Sequence, residues 1–497
     1  MPPSVRGMDP RTLTRQLAAV LLALGIVTSG LGACPATTAE AVASPAARSV
    51  EPTPEAIDAY LDDLYETTGV PGLSAVVTHG DEVVHAAGYG HTSDGAPVTA
   101  DTPMRIASVS KSFTSMAVTL LAEDGKIDLD GAVTDQLPSL KMADPRVQDV
   151  TVRQLLTQTS GFSDTTIDVA DLAEATSGSD YLVRLGDDTL AADPGTTFAY
   201  CNVNFDVAAR LVEEASGRPF DVFMTERVFG PLGMARSALR EEDVTPADGY
   251  NSVLGWWVPR EEPAWFDGSG SGGVITSAAD LSSWLISQNG QGTQLVSGGG
   301  LEAMHTRSAV GDYGHGWYVE DDGTRWHSGF VMTYRAVEWI DPSTGYGIAV
   351  LTNGAGLLDV TNTALAGLVA LTRGKTPEAP ADARAVDLAL VGLLVASLAI
   401  GVTGVVRARG WAARRVGRPV WSTGLRLVWL GLPATAFLLL PTLASLLTGG
   451  RTFPWSSLVY FALPLTLTLL AAGLAGLVVA GARLVRLARR RSVGSTA

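Results

Sequence analysis

Ser108-Val109-Ser110-Lys111 sits ahead of an apolar stripe, Phe113, Met116, Leu120 and Leu121, with a stop signal at Gly125. The i, i+3, i+4 spacing of that stripe predicts a helix opening at Ser108. On such a helix Ser108 and Lys111 share a face, so a hydroxyl meets an amine. Unpaired N–H groups and the positive dipole end at the helix start favour an oxyanion and disfavour protonation of Lys111. A lysine acting as base must fall from ~10.4 toward neutrality, which desolvation and nearby positive charge bring about. Only four lysines occur in the chain, Lys111, Lys126, Lys141 and Lys375. Read alone, Ser108 serves equally as a helix N-cap.

Strand patterns bracket this helix at both ends of the body. A helix over 54–67 precedes a hairpin, Gly72–Thr78 and Glu82–Tyr89, turning at Gly80-Asp81. Strands return at His315–Glu320, Thr324–His327, Arg335–Ile340 and Gly347–Leu351, and a helix follows at Leu358–Thr372. Residues 108–289 between them read as helical and irregular. Strands at the ends with helices inserted predict an α+β fold with one antiparallel sheet flanked by helices.

Two further motifs follow Ser108 in order. Tyr200-Cys201-Asn202 lies after Asp193-Pro194-Gly195 and before a helix from Phe205 to Glu214. By itself it reads as a polar turn. As chemistry, Tyr200 relays a proton, and Asn202 both donates to and accepts from a substrate amide. His327-Ser328-Gly329, followed by Phe330, lies in a strand, where a histidine commonly packs as a structural residue. The glycine lets a substrate backbone approach the strand edge. The Phe330 N–H pairs with that of Ser108 as an oxyanion hole. Nucleophile, proton carriers and amide together form a working set for acyl transfer through a serine ester.

The chain resembles the serine β-lactamase-related family that joins class C β-lactamases, D-alanyl-D-alanine carboxypeptidases and β-lactamase-like carboxylesterases. Beyond the three motifs, the likeness rests on Pro97-Val98-Thr99-Ala100-Asp101-Thr102 leading into Arg105-Ile106-Ala107. It rests also on Leu155-Leu156-Thr157-Gln158-Thr159-Ser160-Gly161-Phe162 and on Gly272-Gly273-Val274-Ile275-Thr276-Ser277-Ala278-Ala279-Asp280-Leu281. It covers about residues 55–372. The resemblance implies an inserted helical subdomain, Ser108 as acylated nucleophile, Lys111 as its base partner and Tyr200 as shared acid and base. It implies substrate contacts at Asn202, His327, Ser328, Gly329 and Phe330, with His327 standing where many β-lactamases have lysine. In place of the family's frequent second glycine, Thr333 precedes Tyr334. For a substrate carboxylate, the candidate arginines are Arg325 and Arg335.

Charge and hydropathy place this body at a membrane. From Ala385 onward twelve arginines face one acid, Asp387, a net +11 that leaves −27 on residues 1–384 of a chain of formal charge −16. An acidic body excludes nucleic acid as a partner. Apolar stretches at Ala385–Val406, Leu427–Leu447 and Leu458–Ala482 each suffice to cross ~30 Å of hydrocarbon. Arg407 to Arg426 carries six arginines and the tail after Gly481 carries five, whereas the loop between the second and third spans has only Arg451. The positive-inside rule then puts the C-terminus in the cytoplasm and the hydrolase body outside. Within the spans Asp387 is the one ionisable residue, at the outer edge of the first, so the bundle reads as an anchor.

The expected organisation is a leader (1–43), a hydrolase domain (50–374), a linker (375–384), three membrane helices (385–482) and a basic tail (483–497). Arg6, Arg11 and Arg15 before an apolar run mark the leader as an export signal. Three fates fit it: lipidation of Cys34 in a lipobox, cleavage after Ala43, or retention as an anchor. With Cys34 in the leader, Cys201 is left without a disulfide partner. The six histidines show no metal-ligand spacing, and the chain lacks a nucleotide loop, so no metal and no cofactor are expected. The expected substrate is a D-Ala-D-Ala-like peptide of peptidoglycan, a β-lactam or a small ester. The rival reading is a penicillin-binding sensor that signals through the bundle. The oligomeric state stays open.

Overall fold

The computed structural model describes residues 52–263, 268–448 and 450–494. The leader and the choice among fates of Cys34 lie outside the described residues.

The centre of the body is a six-stranded antiparallel sheet of β1 (Gly72–His79), β2 (Glu82–Gly90), β3 (Tyr318–Val319), β4 (Arg325–Phe330), β5 (Arg335–Asp341) and β6 (Tyr346–Thr352). Its spatial order is β2-β1-β6-β5-β4-β3. The first hairpin and the last strands join through β1 and β6, with Leu73 opposite Thr352 and His79 opposite Tyr346. Alternation along the strands decides which layer each side chain enters. Leu73, Ala75, Val77, Ile348 and Val350 face the two end helices, α1 (Pro54–Thr68) and, further along, Val360–Thr372. Val76, Ala336, Ile340, Ala349 and Leu351 face the inserted helical layer. Both faces are therefore covered, as the α+β expectation requires.

α1 starts where Thr53 caps the N–H of Ala56 with Pro54 in the first turn, and it stops at Gly69 in the left-handed region. In the inserted layer, α2 (Ser110–Glu123) is buried on every side from Ser110 to Leu121. Its Phe113 stacks on Trp284 at 3.9 Å between ring centroids and meets the edge of Phe229 at 6.0 Å. The helix starts at Ser110 and not at Ser108: residues Ala107–Val109 form a short 3-10 turn ahead of α2, and Ser108 lies in it. Ala107 has φ +49°, a left-handed conformation at a non-glycine residue immediately before the serine. A small hairpin, Gly249–Val253 with Trp256–Arg260, stands beside this layer. It was invisible in the sequence because Gly255 and Pro259 break the strand pattern.

α3 (Val203–Ser216) packs on α2 and carries the second motif at its start. Beyond the body lie α4 (Val360–Thr372), already met on the outer face of the sheet, and then α5 (Ala383–Val406). α6 (Val420–Leu438) continues into α7 (Leu440–Leu447), followed by α8 (Trp455–Phe461) and α9 (Leu463–Gly494). Among the described residues α5 and α9 are long and apolar enough to cross a membrane, and α6 with α7, bent by 62° between them, brings the number to three if the pair counts as one span. The bend falls at Leu439, one residue before α7 with Pro441 in its first turn, because proline has no N–H to continue the helix. The third expected span begins differently from its sequence reading: Leu458 belongs to the separate α8, and Pro464 opens α9.

One glycine ties the sheet to the turn that holds Ser108. A Cβ added to Gly329 on β4 would lie 2.0 Å from the carbonyl oxygen of Ile106 and 3.2 Å from the Ala107 Cβ. On the side where a Cβ would project, the neighbour of Gly329 is the protein's own backbone beneath the serine. Gly329→Ala should therefore cost about 1–3 kcal/mol through overpacking, seen as a lower midpoint in thermal unfolding, and should displace the serine turn.

Candidate active site

The site forms where α2, the start of α3 and β4 converge. Lys111 Nζ lies 3.0 Å from Ser108 Oγ, 2.9 Å from Asn202 Oδ1 and 2.7 Å from the carbonyl oxygen of Ser271. The lysine is completely buried. Burial, and after it the charge of Arg451, holds its amine well below the usual lysine range, against smaller opposing effects of Asp206, Cys201 and Asp164. The Tyr200 phenol hydrogen-bonds with Ser108, and Lys111 Nζ stands 5.0 Å from its ring centroid. Burial pushes the phenol up to about 12, opposed by Arg451 and by the bond to Ser108. Burial thus favours the neutral hydroxyl of Tyr200.

Two of the segments that carry the family resemblance build this geometry. Gln158, at φ +58°, gives its carbonyl to the Ala199 N–H at 2.9 Å. Its side-chain oxygen accepts from the Cys201 N–H at 3.0 Å and from Asn204 Nδ2 at 2.5 Å. The 155–162 stretch therefore fixes the loop bearing Tyr200 and Asn202. The 270–274 stretch embraces α2 from the other side. Gly270 O accepts from Thr114 Oγ1 at 2.7 Å, Ser271 O accepts from Lys111, and Ser110 Oγ accepts from the Val274 N–H at 3.0 Å.

His327 is buried on β4, its ring 6.0 Å from that of Tyr200. Its Nδ1 lies 2.8 Å from the Ser328 carbonyl and its Nε2 lies 2.9 Å from Tyr313 Oη. A carbonyl only accepts, so the proton belongs on Nδ1 and Nε2 takes the tyrosine O–H. Burial first, then Lys111, lowers the imidazole to about 3. The third motif is thus electrically neutral, unlike the lysine it stands in for. Asn202, expected to meet a substrate amide, spends its oxygen on Lys111. The Phe330 ring packs edge-on against Phe461 at 5.0 Å and beneath the Arg335 guanidinium at 4.7 Å.

Both arginines weighed for a substrate carboxylate are engaged by the protein itself. Arg335 is buried against Asp359 at 3.0 Å and donates to Gly356 O at 2.8 Å. Arg325 donates to the Gly323 carbonyl at 2.8 Å. The guanidinium beside Tyr200 comes instead from Arg451, in the loop between α7 and α8, with its Cζ 5.1 Å from the ring centroid. Sequence reasoning counted Arg451 only as a loop charge. It also missed Tyr313, and Asp206, whose buried Oδ1 accepts from Ser269 Oγ at 2.9 Å and the Ser271 N–H at 3.0 Å. The only signal for Asp206 was its position four residues beyond Asn202 on an amphipathic helix, which a surface charge would match equally. Among the described residues no group of histidine, cysteine and carboxylate side chains is arranged to hold a metal.

The family described as Beta-lactamase matches residues 57–371, so the chain belongs to that family. Penicillin-binding protein 4 of Amycolatopsis lactamdurans is 30% identical over 359 residues, 64% of this chain and 91% of that protein. Protein flp of Staphylococcus aureus is 26% identical over 315 residues, and the alignment takes in 60% of this chain and 62% of the relative's length. Among solved structures, the octameric penicillin-binding protein homologue from Pyrococcus abyssi superposes with a TM-score of 0.57 at 25% identity, covering 68% of this chain and 80% of that one. EstCE1, a hydrolase with promiscuous acyltransferase activity, shares the fold at 18% identity with a TM-score of 0.55, over 62% of this chain and 97% of its own.

Asp206 holds the Ser271 segment that Lys111 leans on. Asp206→Ala leaves a buried hydroxyl and a buried N–H without an acceptor and should cost about 1–3 kcal/mol. Asp206→Asn keeps an oxygen in place and should cost less. Chemical denaturation of the two variants gives the comparison, and equal losses would contradict this account.

Proposed function

We propose that this member of the Beta-lactamase family is a membrane-anchored serine hydrolase that works through an acyl-enzyme on Ser108. The observation that carries the reading is the set of partners around Lys111. A protonated lysine has three hydrogens to donate, and a neutral one has two and a lone pair. Asn202 Oδ1 and Ser271 O can only accept, so they take two hydrogens from a neutral amine. The lone pair then faces Ser108 Oγ at 3.0 Å, and the hydroxyl proton has somewhere to go.

In the step that follows, Ser108 Oγ attacks a carbonyl carbon as its proton passes to Lys111 Nζ. The N–H groups of Ser108 and Phe330 receive the developing oxyanion. Collapse breaks the bond to the leaving group, which takes the proton from Lys111 through the Tyr200 hydroxyl. Water enters by the same relay in reverse and releases the acid. The acyl donors this arrangement suits are D-Ala-D-Ala-like peptides, β-lactams and small esters, with peptide or ester hydrolysis favoured because neutral His327 replaces a lysine.

The body is assigned to the outside of the cell. The arginine-rich segments after α5 and at the end of α9 meet each other, Arg491 donating to the Arg418 carbonyl at 3.0 Å and Arg483 lying over Trp411, and the positive-inside rule assigns them to the cytoplasm. The α7–α8 loop, by contrast, meets the body at Asp164, through Thr452 N–H at 3.2 Å. That contact between bundle and cleft also favours the second reading, a penicillin-binding sensor whose adduct persists.

Intact-mass spectrometry with a fluorescent penicillin and a chromogenic ester separates the two readings, since turnover marks the hydrolase and a lasting adduct the sensor. Ser108→Ala should remove labelling and lower ester turnover on the order of 10⁴-fold; unchanged labelling would dismiss Ser108. Because the neutral amine is the competent form, kcat/KM should rise with pH as Lys111 loses its proton and then level off. That limb should lie well below ~10.4, and a single limb near the ordinary lysine value would contradict the role of Lys111.

A further inference from the structure

The chain after Asp387 holds twelve arginines and neither Asp nor Glu, so their charge has no partner within that stretch of sequence. Such arginines are ordinarily spread over a solvated face, but here two segments far apart in sequence bring theirs together. The short helix Ala408–Ala413, between α5 and α6, packs on α9. Its Trp411 is half-buried and carries two guanidiniums: Arg415 lies 5.4 Å from the ring centroid and Arg483 of α9 lies 5.1 Å from it. Further along, Arg491 Nη2 donates to the Arg418 carbonyl at 3.0 Å. Burial, and after it the charges of Arg426, Arg418, Arg414 and Arg483, holds the Arg415 guanidinium below the usual arginine range. Five cations from the loop, α6 and α9 therefore stand close enough to repel one another. A fold that gathers like charges with no acid among them is stabilised by an anion from outside the chain.

The surroundings select the anion. Val420 and Trp421, which open α6 directly after the loop, are 72% and 73% exposed. Tryptophan and bare apolar side chains beside guanidiniums are the pattern of the headgroup zone, where arginine meets phosphate and the ring meets the acyl boundary. A soluble polyanion would leave those side chains in water. A guanidinium fork takes a phosphate through two parallel N–H bonds, and Trp411 gathers two forks from two segments, one for each of two phosphates. We propose that Trp411, Arg415 and Arg483, with Arg414, Arg418 and Arg426 around them, bind a phospholipid whose headgroup carries two phosphates, and that the bound lipid clamps the α5–α6 loop to α9.

The test uses the full chain, stripped of lipid in a neutral detergent, with cardiolipin as the two-phosphate probe and phosphatidylglycerol offered at equal total charge. Native mass spectrometry counts the lipid retained, and thermal unfolding reads the midpoint with and without it. Wild-type protein should retain cardiolipin over phosphatidylglycerol and unfold at a higher midpoint with cardiolipin bound. The double variant Arg415→Gln/Arg483→Gln should lower cardiolipin retention on the order of tenfold. Arg489→Gln/Arg490→Gln removes the same charge elsewhere on α9 and should keep most of the binding. Equal losses in the two variants would reduce the effect to net charge and overturn the proposal. Equal retention of the two lipids would overturn the two-phosphate site, and displacement of cardiolipin by inorganic pyrophosphate would reassign the cluster to a soluble anion. Without lipid, Arg415→Gln/Arg483→Gln should unfold at or above the wild-type midpoint, because it relieves repulsion. A lower midpoint would mean that these arginines serve packing on Trp411, and it too would overturn the proposal.

Discussion

An amine buried without a carboxylate in contact is the constraint on which this site depends. Lys111 meets a hydroxyl, an amide oxygen and a main-chain carbonyl, all uncharged. Charge on the amine is therefore expensive, and the neutral form that can take a proton is the cheaper one. Much of the surrounding architecture keeps it so. Asp206, the acid that most favours charge on Lys111, is itself raised by burial and turned toward Ser269 and Ser271. Gln158 holds the loop of Asn202, and the close pass of Gly329 over Ile106 seats the serine turn.

The sequence carried the fold because its signals were periodic. Alternating strands at both ends, with helical stripes between, led directly to a sheet closed by β1 and β6. The serine and lysine were legible for the same reason, since a three-residue interval on a helix is a geometric statement. What escaped were partners set by tertiary contact. Tyr313 reaches His327 across a turn, Asp206 looks like a surface acid, and Arg451 lies some hundreds of residues from Tyr200. No interval along the chain encodes such meetings. The strand glycine was legible as a small residue, but the Ile106 carbonyl that a side chain there would strike was not.

The membrane unit adds more than attachment to this picture. An apolar seam joins Leu357 and Phe330 of the body to Leu390, Leu440, Leu458 and Phe461 of the bundle. Ser252 donates to the buried carboxylate of Asp387 at the edge of the first span. Arg260 stacks over Tyr460 at 4.1 Å. These contacts join the body to the bundle at points beyond the linker.

The pairing of β1 with β6 also governs how the protein is made. Thr78 and Gly347 bond across 269 residues of intervening chain, so the ribosome must deliver nearly the whole body before its sheet can close. β6 ends at Thr352 and the first apolar span opens at Ala383. The sheet can therefore close only shortly before the first apolar helix is made, so completion of the body and formation of the membrane helices follow directly on one another.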